Sequence, residues 1–276
     1  MASDLFEQRQ QHLDIDRGPE GLVCEGDATR LAQALARWTS CSPGAPYDRS
    51  MQTPAPRIAL IHATALAVEP IAAAFTRHWP HARRMNLLDD SLSVDRAEAG
   101  SLTPAMVQRF IDLAGYAKET GCDAILFTCS AFGPAIEVAG EAVRLPTLKP
   151  NEAMFAQALE TCAKAGGTLG LIATFEASIP SMSAELLQMA GKRGQRIELR
   201  TAFVPEAMQD LAEGRAAQHH EKIAQAARKL AGCDVVMLAQ FSMAAALPLA
   251  QEALGCPVLS SPDCAVLTLK RTMNHG

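Results

Sequence analysis

The chain has 276 residues, 49% of them hydrophobic and 20% charged, with a formal net charge of -5. That balance supplies a buried core and excludes disorder along the whole length, while the acidic charge and the lack of a Lys/Arg run interleaved with aromatics exclude a nucleic-acid footprint. No window reaches the roughly 18 apolar residues of a membrane span, and the opening MASDLFEQRQQHLDIDRG lacks the features of a signal peptide, so no membrane association and a cytoplasmic protein are expected.

Residues 1–55 read as a weakly ordered N-terminal extension, with one short amphipathic helix near 28–38 (ATRLAQALARW) and a linker-like SCSPGAPYDRS behind it. From Arg57 onward short apolar runs alternate with helical patterns. IALIHA (58–63) is a strand, LAVEPIAAAFTRHW (66–79) a helix, and RRMNLLDD a second strand. TPAMVQRFIDLAGYAKETG is a helix with Thr103 as its N-cap and Pro104 in its first turn, and CDAILFTC is a third, buried strand. This alternation predicts an α/β fold with mostly parallel sheets covered on both faces.

The same order then returns at a fixed distance. Gly121 and Gly232, Cys129 and Gln240, Pro146 and Pro257, and Ile61 and Ile172 are each 111 residues apart. Loop insertions would have destroyed such a register, so the chain holds a duplicated unit, with a first half at 56–163 and a second at 164–276. Gly166-Gly167 marks the turn between them; no GxGxxG follows a strand, so neither a nicotinamide nor a nucleotide cofactor is expected. Ligands of open parallel sheets bind beyond the carboxyl ends of the strands. Two halves facing each other across a shared cleft would therefore bring positions 129 and 240 face to face.

FTCSAFG at 127–133 and LIATFEASIPSMSAELL at 171–187 resemble the first-half cysteine motif and the second-half strand-loop-helix of the aspartate/glutamate/hydantoin racemase superfamily. The likeness runs from about Arg57 to Leu269. It implies two pseudo-symmetric α/β halves, no pyridoxal phosphate or other cofactor, a small carboxylate as substrate, and a homodimer as the expected assembly. Racemisation next to a carboxylate requires a base on one face of the carbon and an acid on the other, which two thiols can supply. Cys129 fits the first, and a helix N-terminus near Gly133 would lower its pKa toward neutrality. Gln240 stands where the second thiol is expected, and an amide does not exchange a proton near neutral pH.

Three readings follow from that departure. Ser242 could substitute, His62 at the end of the first strand could reach the cleft and titrate near neutrality, or the reaction could need only one proton donor. The last would suit decarboxylation or cis-trans isomerisation, with Gln240 hydrogen-bonding the substrate. Racemase-type proton transfer through Cys129 is the leading expectation; a carboxylate-binding protein without turnover is the alternative of another class. Thr64, Ser130, Thr174, Phe175, Ser178 and Ser242 are the expected substrate-binding residues.

Other residues carry blander expectations. Cys122, Cys162, Cys233 and Cys256 read as reduced core residues, and no CxxC or Cys/His spacing suggests a metal. His219 and His220 are expected on the solvent face of a polar helix, and Lys149 as a solvated lysine at a strand exit. MSAELLQM is expected to pack as helix core, with Met182 the one member that could face substrate.

Overall fold

The computed structural model describes residues 55–162 and 166–275. The expected N-terminal extension, including its helix near 28–38, lies outside the described residues. Two four-stranded parallel sheets form the frame. In the first, β1 (Arg57–His62) lies between β2 (Arg83–Leu88) and β3 (Ala124–Phe127), and β4 (Thr147–Leu148) follows β3. The second repeats that order as β6 (Ile197–Phe203), β5 (Gly167–Ala173), β7 (Val235–Leu238) and β8 (Val258–Ser260). All pairings are parallel. AILF of β3 and VVML of β7 are buried throughout because helices cover both faces, whereas the edge strands β2 and β6 alternate in exposure.

The repeat seen in the sequence is present in space: 111 residues separate Ala124 from Val235 at the starts of β3 and β7. They also separate Val68 from Ile179, which open helices α1 (Val68–His78) and α6 (Ile179–Lys192). After β2 come α2 (Ser91–Ala99) and α3 (Pro104–Glu119); α4 (Gly133–Val143) follows β3. Thr103 caps α3, its Oγ1 accepting the Met106 N–H at 3.3 Å, with Pro104 at the first position. Gly166 makes the turn between the halves at φ 84°, and Gly167 already belongs to β5.

The last helix of each half is exchanged. α5 (Glu152–Thr161) follows β4 but buries Met154, Phe155 and Leu159 with Leu169, Val235 and Met237 of the second sheet. α10 (Ser261–His275) ends the second half but buries Ala265, Val266 and Leu269 with Ile58, Leu60 and Phe75 of the first. Each fully buried large side chain contributes about 1.5–3 kcal/mol, so the exchange ties the two halves by their cores. Ser261 Oγ also bonds the buried Asn151 Oδ1 where the two helices begin.

The second half adds α7 (Ala207–Ala212), α8 (Ala216–Arg228) and α9 (Leu247–Glu252). His219 corrects an expectation here. It is fully buried, because it shares a helical face with Ile223, Ala226 and Ala227, which pack on the second sheet. Neither ring nitrogen has a partner among the described residues, and burial, reinforced by the adjacent His220, pushes its pKa down to about 4. Cys122, Cys162 and Cys233 are buried as expected, while Cys256 is half-buried. Met182 faces the second core and not a ligand. Among the described residues no helix is long and apolar enough to cross a membrane.

Candidate active site

The carboxyl ends of the central strands surround a cleft of about 170 Å³ to which both halves contribute. Cys129 and Gln240 both line it. They occupy equivalent places: each is an extended residue (φ -118°, ψ 122° and φ -104°, ψ 147°) one step before a short 3-10 turn. Thr64, Ser130, Phe175 and Ser242, expected as substrate-binding residues, line the same space. Thr64 spends one lone pair on the Leu66 N–H.

The electrostatics of Cys129 run opposite to the expectation. Burial pushes the thiol pKa up, opposed more weakly by the Ala131 N–H and by the Ser93 hydroxyl. A depressed pKa toward neutrality is therefore not what this site provides: the resting group at neutral pH is S–H, a proton donor. The cause is local, since Phe127 and Phe132 on either side belong to the apolar core under the cleft.

Gln240 is held rigidly. Its Oε1 accepts the Thr174 N–H at 2.8 Å and faces the Thr174 hydroxyl at 3.3 Å, and its Nε2 donates to Ser178 Oγ at 2.9 Å. Ser178 Oγ in turn donates to the Phe175 carbonyl at 2.7 Å. Thr174 and Ser178 are buried and are not part of the cleft lining; Thr174 donates to Gln240 and Ser178 accepts from it. The sequence had suggested them as substrate-binding residues; they lie behind the wall and support Gln240. One Nε2–H of Gln240 is left for a ligand.

His62 is likewise displaced from the role expected of it. β1 lies between β2 and β3, so the ring is buried between Asn86 of β2 and Thr128 beyond β3, with Nε2 3.0 Å from Asn86 Oδ1 and Nδ1 2.8 Å from Thr128 Oγ1. Burial lowers its pKa against the opposing Asn86 bond, which favours the neutral ring. Nε2–H then donates to Asn86, and Nδ1 accepts the Thr128 hydroxyl proton. Thr128 lines the cleft and His62 does not, so the ring positions the threonine.

Several lining residues escaped the sequence reading, among them Thr128, Phe241, Ser93 and Arg96 of α2, and Met208 of α7. Ser93 and Arg96 stand three apart on one face of α2. The signal was present, since Asp90 precedes SLSVDRAEA and Gly100 ends it in the left-handed conformation at φ 64°. Arg96 is half-buried, its Nε has no partner, and it makes no hydrogen bond or ion pair with the described residues. Arg109 nearby on α3 is the contrast, bound to Asp89 and Asp95 at 2.5 Å each. The cleft thus holds a cation that pairs with no acidic side chain among the described residues.

Arg96, Ser130, Ala131 and Phe175 also line an outer vestibule of about 870 Å³. Lys149 corrects its expectation there. It is 18% exposed and clamped between Glu137 of α4 at 2.8 Å and Glu185 of α6 at 2.7 Å, which join the two halves at the mouth. Those carboxylates raise its pKa against the cost of burial. Among the described residues no group of three or more His, Cys, Asp or Glu is placed to hold a metal ion.

The sequence model for Asp/Glu/hydantoin racemases matches residues 58–198, about half of the chain. No curated protein matches it by sequence. A glutamate racemase from Bacillus anthracis shares the fold at TM-score 0.63 and 16% identity, over 80% of this chain and 82% of that one. An allantoin racemase from Klebsiella pneumoniae does so at TM-score 0.56 and 16% identity, covering 80% and 89%. An unliganded arylmalonate decarboxylase superposes at TM-score 0.56 and 16% identity, covering 78% and 91%. At such identities the likeness is one of fold.

Proposed function

The chain belongs to the Asp/Glu/hydantoin racemase family, and on that premise we propose that it works without a cofactor, Cys129 delivering a proton to one face of a carbon alpha to a carboxylate. The observation that carries this reading is the state of Gln240. At the place equivalent to Cys129 stands an amide fixed by Thr174 and Ser178, which has no proton to exchange near neutral pH. A two-thiol racemase cycle lacks its second acid/base here. A cycle that makes an enediolate and protonates it once does not need one.

Decarboxylation of a malonate-type acid is the simplest such cycle. The bond from the α-carbon to the departing carboxylate breaks, CO₂ leaves, and the electron pair spreads into the remaining carboxylate as an enediolate. The S–H of Cys129 gives its proton to the α-carbon, and the resulting thiolate recovers one from water. A thiol kept protonated by burial suits this order of events. Arg96, the hydroxyls of Thr64 and Ser130, and the free N–H of Gln240 face the cleft to hold the accumulating charge. An isomerase that protonates an enediolate made by double-bond migration would use the same parts.

Incubation with substituted malonates and with amino acids, following CO₂ release and α-proton exchange, tests the reading. Turnover that falls at least about 100-fold in Cys129→Ala is expected, as for loss of a positioned proton donor. Undiminished turnover in that variant would remove Cys129 from the mechanism.

A further inference from the structure

The two walls of the cleft differ in chemistry. The first half presents Ser93 and Arg96 of α2 beside the hydroxyls of Thr64, Thr128 and Ser130, whereas the second half presents Phe175, Met208 and Phe241, with Ser242, around the immobilised amide of Gln240. An α-amino acid would have to place an ammonium group in this space together with its carboxylate. Among the described residues, the lining contains no Asp, Glu or His that would balance it. The vestibule carboxylates Glu137 and Glu185 are both engaged by Lys149.

Neutral acceptors are present but carry no charge to balance it. Gln240 Oε1 already takes the N–H and faces the hydroxyl of Thr174, and what remains are the single hydroxyl oxygens of Thr64, Ser93, Thr128, Ser130 and Ser242. An ammonium group would lose its hydration, lie against phenylalanine and methionine, and share the cleft with an unpaired guanidinium. A methyl, alkyl or aryl group in the same place would gain from leaving water. The carboxylate is served in either case, because Arg96 has no other anion among the described residues.

We propose that the substrate is a carboxylate whose α-carbon carries an apolar substituent and no ammonium group, with the carboxylate on Arg96 and the substituent against Phe175, Met208 and Phe241. This rests on reading the cleft as the place where Cys129 transfers its proton.

The test uses isosteric pairs in which methyl replaces ammonium: 2-phenylpropionate with 2-phenylglycine, and isobutyrate with alanine. Calorimetric titration of the full chain is expected to show each unaminated acid binding at least about tenfold more tightly. Arg96→Gln is expected to weaken 2-phenylpropionate about tenfold or more, and Met208→Glu to shift the preference toward 2-phenylglycine. Arg96 makes no bond that holds the fold together among the described residues, and an unchanged melting temperature verifies this for the variant. Equal or tighter binding of the amino acids, no binding of either pair, or indifference to Arg96→Gln would overturn the proposal. Turnover of methylphenylmalonate in D₂O separates the two claims. The expected binding preference with deuterated product still formed at full rate in Cys129→Ala keeps the substrate class and defeats proton transfer by Cys129, while α-deuterium incorporation confined to the amino acids and lost in Cys129→Ala defeats the class and keeps the transfer.

Discussion

Cys129 and Gln240 occupy equivalent positions with different capacities: a thiol can give up a proton, and a primary amide held by a backbone N–H cannot. Restoring the symmetry by Gln240→Cys should therefore change the outcome as well as the rate. That variant is expected to erode the optical purity of an α-chiral product by supplying a second exchangeable proton, which chiral chromatography after prolonged incubation would reveal; unaltered purity with a reactive second thiol would count against a face-to-face arrangement. His62 acts one step away. His62→Gln should lower turnover through Thr128 without creating or removing an acidic limb in the pH profile, since the ring is buried and kept neutral. Cys129 and Gln240 were legible in sequence because they close buried apolar strands at a fixed repeat distance. The hydrogen bonds that fix Gln240 and the raised pKa of the thiol were not, because they depend on which atoms the fold brings around each side chain.

Helices and strands differed in how plainly the sequence announced them. β1, β3, β5 and β7 stand out as apolar runs because both faces of their sheets are covered. The packing there leaves little room: a Cβ on Gly170 would lie 2.9 Å from Val236 Cγ2 and 3.0 Å from Leu230 Cδ1. Gly170→Ala is expected to cost about 1–3 kcal/mol by overcrowding, read as a lower urea midpoint at unchanged slope. α2 and α7 escaped the reading because they are short and mostly polar or small, with Leu92 the one buried residue of α2. Yet these two helices furnish Arg96 and Met208, so the chemistry of the cleft was less legible than its frame. His219 was misread for a related reason: a histidine pair in a polar string says nothing of which member turns inward.

Duplication accounts for the architecture of residues 55–275, and the exchange of α5 and α10 explains why the repeats do not behave as separable pieces. Each half buries the other's last helix, so removing α10 should unfold both, and one cooperative transition is expected in calorimetry. The buried His219 adds a pH dependence. Its folded pKa, about 4, lies below the ordinary value of 6.5, so the unfolded chain binds the proton more readily. The stability it leaves intact above about pH 6.5 is lost as the pH falls toward 4, by up to an order of 3 kcal/mol. Urea unfolding at pH 7 and pH 5 should show that loss, and His219→Leu should reduce it.

The central claim is that one sulfur, on one side of the cleft, handles the proton. Running the reaction of a prochiral substituted malonate in D₂O and determining the configuration and deuterium content of the α-carbon addresses it directly. A single deuterium in one configuration, formed by the native chain and lost in Cys129→Ala, is the predicted result. Deuterium delivered equally to both faces, or at full rate without Cys129, would contradict it.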